Sequence, residues 1–430
     1  MRRTEARRAR NRTRKRVWAE NLAIVLLAAL AVFLAGRTGM VQNTLPLGGG
    51  QSVMGGYSVG PAVSLAGGTP VRLLLRSDTS RYGVEYNQDA VELLYNQGLS
   101  DLLDGSLRSM EPPEPVGEEL WQQTITEGSR WIFFDYLDTV IFDQRDGSGA
   151  GAGRFFLVTE KGGQAEQVLY YNENDRTFYR GRLREQVTYP TLLLSSNGAV
   201  FAFEEGSGAR SLSPYMMVLN SPPDCKVYGA SDPVETLESD GWIPLVDSLG
   251  FNAKAASPYT TATGSVIREG ADTLRVMNDG TLQFHGSETG EDRYTALSDR
   301  EKDLQLKAEE ILDRATKEVR GPASLTCRGV RALEDGQTEV IFDYLLNGAR
   351  VQLWGEGWAA RFLFRDNVVS AYTILLRSYT ETEETCTLLP VRQAAAAAAA
   401  MGRQGSELQI VYPDEGGEQV SAIWTVREAR

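Results

Sequence analysis

From Leu22 to Gly36 the chain reads Leu-Ala-Ile-Val-Leu-Leu-Ala-Ala-Leu-Ala-Val-Phe-Leu-Ala-Gly, with no charge inside it. At about 1.5 Å per residue this run alone is short for a hydrocarbon core of roughly 30 Å. Val17, Trp18 and Ala19 extend it to a span of about 20 residues, with Glu20 and Asn21 near headgroup depth. A single transmembrane helix over 17–36 is therefore expected. Residues 37–68 follow with many Gly, Ser and Pro and no sustained period, the pattern of a flexible tether.

From Thr69 onward the apolar positions alternate between two periods, 2 and 3.6, which argues for an α+β fold of antiparallel sheets with packed helices. Val71–Leu75 reads as a strand. Asp89–Tyr95 and the leucines at 99, 102, 103 and 107 read as helix interrupted at Gly98, and a Trp121-bearing helix follows Pro112, Pro113 and Pro115. Trp131–Phe134 is a buried strand, and the glycine-rich run 147–153 is a hairpin tip or loop. Strands are expected at 155–159, 168–171, 177–179, 187–194 and 200–203, then a proline-bearing coil.

In the second half, 245–250 predicts a short helix. Strands at Tyr259, 264–267, 272–277 and 281–284 precede a helix capped by Ser298, with Leu304, Ala308, Ile311, Leu312, Ala315 and Val319 at helical spacing up to Gly321-Pro322. Four antiparallel strands (323–333, 338–346, 358–364, 368–379), a helix over 390–401 and two closing strands complete the order. The expected units are 69–235, a central β-rich module 236–297 and a C-terminal α+β module 298–430.

Charge sets a direction on this pattern. Residues 1–16 hold Arg at 2, 3, 7, 8, 10, 12, 14 and 16, Lys15 and the single acid Glu5. Such a leader stays cytoplasmic, so everything after Arg37 is expected outside the membrane. A cleaved signal peptide starts in the same way. No clean Ala-x-Ala site follows the apolar run, and no cysteine for lipid attachment, so the reading is an uncleaved anchor. With net −13 on the chain and +8 on the leader, −21 falls on the remainder. A surface that acidic does not hold nucleic acid through phosphates.

The progression Leu249-Gly-Phe-Asn252, Tyr259, Leu274-Arg-Val276, Asp279-Gly280, Leu282-Gln-Phe284 resembles the YycH/YycI family of membrane-anchored regulators of an essential cell-wall sensor kinase in Gram-positive bacteria. Phe342-Asp-Tyr-Leu-Leu-Asn-Gly348, the 368–379 strand, Tyr412-Pro413 and Trp424 carry the same likeness. It covers 245–430 closely and 70–230 only in architecture, and the length suits the longer YycH form. The arginine-rich leader and the alanine run 394–400 depart from the pattern. The resemblance implies a PepSY-like C-terminal module and a non-enzymatic regulator. Its implied partners are a sensor histidine kinase and a sister YycI/YycH-type regulator, with a homo- or hetero-dimer as the form.

Motifs for bond-making chemistry are sparse. His285 is the only histidine, which confines any triad or histidine metal site to one imidazole, and a surface or turn position is expected. Asp135, Asp138 and Asp143 stand beside aromatics and could form a glycosidase carboxylate pair, but solvated surface acids are the plainer expectation. Asn278–Gly280 and Arg145–Ser148 lack the alternating acids of a calcium loop, and 147–153 lacks the Gly-Lys-Ser/Thr of a phosphate loop. Nothing here asks for a cofactor or metal.

Cys225, Cys327 and Cys386 are an odd set without CxxC spacing. They read as isolated thiols, with Cys327–Cys386 as the alternative pair. Ala28, Ala31 and Ala35 form a small-residue stripe along the expected anchor, a face another membrane helix could approach closely. An envelope-assembly or sporulation-stage scaffold, and a wall-modifying hydrolase using the acids of the first lobe, are the alternative functions.

Overall fold

A computed structural model describes residues 68–76, 82–128, 130–143, 150–192, 194, 196–220, 223–234, 242–252, 258–286, 293–355 and 357–427. The basic leader, the expected anchor and almost all of the tether lie outside them, as do Ala28, Ala31 and Ala35. Residues 62–430 group as one compact unit. It is α+β with mostly antiparallel sheets, as the two periods predict. Among the described residues no helix is long and apolar enough to cross a membrane.

The first half is built on an antiparallel seven-stranded sheet in the order β2-β1-β4-β5-β6-β7-β3. Its strands are β1 (Arg72–Arg76), β2 (Tyr82–Glu85), β3 (Glu114–Val116), β4 (Trp131–Asp143), β5 (Ala150–Lys161), β6 (Gln164–Asn172) and β7 (Thr177–Arg182). Strand β4 is buried on both faces, which is why Trp131-Ile-Phe-Phe134 is apolar without alternation. Ile132 and Phe134 face a core closed by helices α1 (Gln88–Leu94) and α2 (Ser100–Ser109). Trp131 and Phe133 face a second core with Trp121 and Ile125 of α3 (Glu118–Glu127). Asn87 caps α1 by accepting from the Ala90 N–H at 3.1 Å. The break before α2 falls at Gly98, whose φ of 116° suits only glycine.

The second half carries an eleven-stranded sheet in the order β11-β12-β13-β14-β19-β18-β16-β17-β21-β23, with β15 paired to β16. Its strands are β11 (Tyr259–Thr261), β12 (Gly264–Glu269), β13 (Asp272–Met277), β14 (Thr281–His285), β15 (Ser324–Ala332), β16 (Thr338–Leu346), β17 (Ala349–Leu353), β18 (Ala360–Arg365), β19 (Val368–Leu375), β21 (Glu407–Asp414) and β23 (Ile423–Arg427). Strands from 236–297 and from 298–430 thus share one sheet, joined where β14 meets β19. Helices α4 (Ile243–Ser248) and α5 (Glu301–Thr316) cover its main core.

Three smaller pieces tie the halves together. Strand β10 (Lys226–Ser231) lies between β20 (Ser378–Thr385) and β22 (Gln419–Val420). The alanines of α6 (Val391–Ala400) are small enough to sit on Ala202, Ala209, Leu212 and Met216, beside the short pair β8 (Val200–Phe201) and β9 (Met217–Val218). The side chain of Asn347, in the turn between β16 and β17, accepts from the Gln88 N–H at 2.8 Å.

Several expectations are corrected. Ser298 does not cap α5: the cap position is Arg300, and Ser298 instead donates to Asp303 and accepts from the Arg300 N–H. The glycine run is not all turn, because its described residues 150–153 belong to β5, where a Cβ on Gly151 would strike the Phe142 ring. No strand forms over the described part of 187–194. Pro190 removes a donor there, and Val187 and Tyr189 pack onto the first core instead. Six strands, not four, lie between α5 and α6. β17 follows directly on the Asn347-Gly348 turn, where the sequence pattern has its next strand only at 358–364, and β20 separates from β19 at Leu376-Arg377.

Candidate binding cleft

Strand β4 holds the key irregularity. Its register with β5 shifts between Asp135 and Val140, so the intervening residues form a bulge. A bulge bends the strand and re-aims its side chains, and here it turns Asp138 toward the second half of the chain. Arg350 on β17 meets Asp138 at 2.5 Å and Asp343 on β16 at 3.1 Å. Arg328 on β15 forks onto both oxygens of Asp343 at 2.8 and 2.5 Å. Asp135 is held by Arg72 at 2.9 Å.

A second cluster adjoins the first. Arg154 on β5, only 2% exposed, reaches Glu407 on β21 at 2.6 Å and Glu173 at 3.5 Å. Arg427 of β23 pairs with Glu173 at 2.9 Å and donates to the Leu137 carbonyl at 2.9 Å. Buried charges are tolerated only when paired and hydrogen-bonded, and each acid here has an arginine from another strand. Together they form a charged seam that joins the seven-stranded sheet to the eleven-stranded one.

The seam polarises its carboxyls unequally. Burial pushes Glu407 upward, yet the charge and hydrogen bond of Arg154 outweigh it and hold Glu407 below the usual glutamate range. Burial wins at Asp135, which stays above its ordinary value despite Arg72 and Arg154. It also wins at Asp343, against Arg350 and Arg328.

Above the seam opens a cleft of about 940 Å³, at the upper end of ordinary ligand-site sizes. Five arginines line it, at 154, 176, 328, 350 and 427, against four acids, Asp138, Glu173, Glu301 and Glu407. Four of these arginines are already paired, Arg328 and Arg350 with Asp343, Arg350 also with Asp138, Arg154 with Glu407 and Arg427 with Glu173, so among the described residues the recess is charged but close to balanced. The Arg154 Nε, the Arg350 Nε and the Gln409 Nε2 are buried without an acceptor from the protein. All three are donors, and the Asp135 Oδ1 in the same seam is an acceptor buried without a partner.

The sequence candidates are dispersed around this geometry. Asp135 and Asp138 are buried and ion-paired, not solvated surface acids. Only Asp138 lines the cleft, and the arginine that claims it, Arg350, comes from a strand far along the chain. Asp143 ends β4, paired to Lys302 at 2.6 Å. His285 is exposed at the end of β14. Asn278–Gly280 is a turn, with Gly280 at φ 78°. Among the described residues no group of three His, Cys, Asp or Glu is placed to hold a metal. The cysteines are free thiols, and Cys327, in the main core of the second sheet, lies apart from Cys386. The local signal sequence reasoning passed over was arginine alternation: Arg350 and Arg328 each sit on a strand among apolar neighbours.

Compared with family models, with curated proteins and with solved structures, the chain gives no match.

Proposed function

We propose that the chain is a single-pass, membrane-anchored regulator that acts by association. In this reading residues 17–36 span the bilayer, 1–16 stay cytoplasmic and 62–430 work outside it on a sensor histidine kinase of the cell envelope. The observation that carries the reading is the order of the chain: an arginine leader, an uncharged apolar run, then one compact acidic unit. The YycH/YycI resemblance over 245–430 supplies the partner class and the PepSY-like description of the C-terminal strands and helices.

The cleft supports binding over bond-breaking. A glycosidase needs one carboxyl free to protonate a leaving group and another free to attack. Asp135 and Asp138 are instead engaged by Arg72 and Arg350. The recess offers a partner segment a polar, arginine-bearing surface, and its exposed rim residue Arg176 is the position to alter without disturbing the seam.

The test is crosslinking in intact membranes followed by mass spectrometry, comparing the native chain, Ala31→Leu with Ala35→Leu, and Arg176→Glu. Recovery of a histidine kinase with the native chain, reduced in both variants while membrane insertion is unchanged, supports the reading. Recovery of envelope-assembly proteins and no kinase overturns it in favour of a scaffold.

A further inference from the structure

The ladder between β10 and β20 pairs Lys226 with Thr385. One step further along the same register, Cys225 stands opposite Cys386, and the Cys386 N–H donates to the Cys225 carbonyl at 2.7 Å. In a hydrogen-bonded antiparallel pair the Cα atoms sit about 5.5 Å apart. That lies inside the roughly 4.4–6.8 Å window that a disulfide spans. Residues directly opposite one another also send their side chains to the same face.

Both sulfurs converge on one spot. The Cys386 Sγ lies 3.4 Å from the Lys226 carbonyl oxygen and accepts from the Ala422 N–H at 3.2 Å. The Tyr412 hydroxyl donates to that same Lys226 carbonyl at 3.1 Å and also hydrogen-bonds the Cys225 thiol. Cys225 is buried in the small core around Tyr412, and Cys386 packs against it half-buried. Burial pushes the Cys225 thiol up to about 11, and the neighbouring Cys386 adds to the rise. Cys386 is therefore the accessible member of the pair.

We infer that Cys225 and Cys386 form a disulfide when the folded chain meets a disulfide oxidant, and that Cys327 remains a thiol. The Cys386 thiolate attacks one sulfur of the oxidant's disulfide, forming a mixed disulfide and releasing the first thiolate of the oxidant. The Cys225 thiolate then attacks the Cys386 sulfur and releases the second. Two protons leave the cysteines, and two electrons reduce the oxidant to its dithiol form. The bond would fasten β10, the link between the first sheet and the second, to β20. It depends on no partner of the chain and goes beyond the proposed regulatory role.

The experiment uses the full chain in detergent, incubated with oxidised glutathione, then denatured, alkylated and mapped by mass spectrometry without reduction. Expected are a linked peptide pair containing Cys225 and Cys386, two hydrogens lighter than its two thiol peptides together, and alkylation at Cys327 alone. The thermal midpoint should fall on adding reductant to the native chain and stay unmoved in Cys386→Ser and Cys225→Ser. Alkylation at all three cysteines, or a linkage through Cys327, would overturn the inference, and the peptide map decides it even where a serine variant does not fold.

Discussion

Replacing Arg154 with methionine tests the charged seam directly. The substitution keeps most of the side-chain volume but removes the cation 2.6 Å from Glu407, a residue only 6% exposed. Breaking a buried pair by removing one partner costs about 3–5 kcal/mol, because a charge is left buried without compensation. Arg72 and Arg427 still act on Glu407, which places the expected loss near the low end, about 3 kcal/mol. Glu173 is not stranded, since Arg427 holds it at 2.9 Å.

Adding Glu407→Leu to the same chain removes the orphaned charge. Apolar replacement of a buried pair is commonly neutral or stabilising, so the double variant should recover to within about 1 kcal/mol of the native protein. Urea unfolding followed by tryptophan fluorescence reads all four corners of the cycle, with Trp121 and Trp131 fully buried as reporters. A single-variant loss under about 1 kcal/mol, or a double variant no better than the sum of the singles, would refute the seam.

The same pair sets a pH dependence. Glu407 titrates lower in the folded chain than its ordinary value of 4.5. Its contribution is therefore fully present above that value and is lost as pH falls through the folded one. Without Arg154, burial of Glu407 is opposed only by Arg72 and Arg427, so the stability gap between Arg154→Met and the native chain should narrow as pH falls through about 4.5. A gap constant from neutral pH to pH 3 would contradict the assignment. Gly151→Ala should destabilise by about 1–3 kcal/mol in the same urea assay, because its Cβ meets the Phe142 ring; a neutral result would show that the ring moves freely. Gly321→Ala combines a φ of 63° with a clash against the Tyr379 carbonyl, and should cost on the order of 1–3 kcal/mol. Asn347→Ala removes the acceptor for the Gln88 N–H and should cost about 1 kcal/mol, with faster hydrogen exchange at Gln88.

Local periodicity exposed much of the fold. The interruption at Gly98, the doubly buried β4 and the apolar face of α5 were all legible, because each rests on spacing within a dozen residues. What escaped notice depends on distant partners. Strand β17 pairs with β16 for only two residues and is held mainly by its parallel pairing with β21, a partner about sixty residues away that the Asn347-Gly348 turn alone does not reveal. Ser298 looked like a cap because serine so often is one, yet its hydroxyl serves Arg300 and Asp303.

The cleft was legible only in part. Asp135 and Asp138 stood out beside their aromatics, while the arginines that define the site come from β5, β15, β17 and β23. Cys225 and Cys386 could not be matched by spacing, since their proximity follows from the β10–β20 register and not from any motif.

The central claim, that an anchored acidic unit biases a sensor kinase without chemistry of its own, is tested most directly by kinase output. The measurement is autophosphorylation of the sensor kinase proposed as partner in membranes with the native chain, with the chain deleted, and with Arg176→Glu at the cleft rim. The account predicts a change in output on deletion that the native chain reverses and Arg176→Glu reverses only in part. Output identical in all three membranes would contradict it.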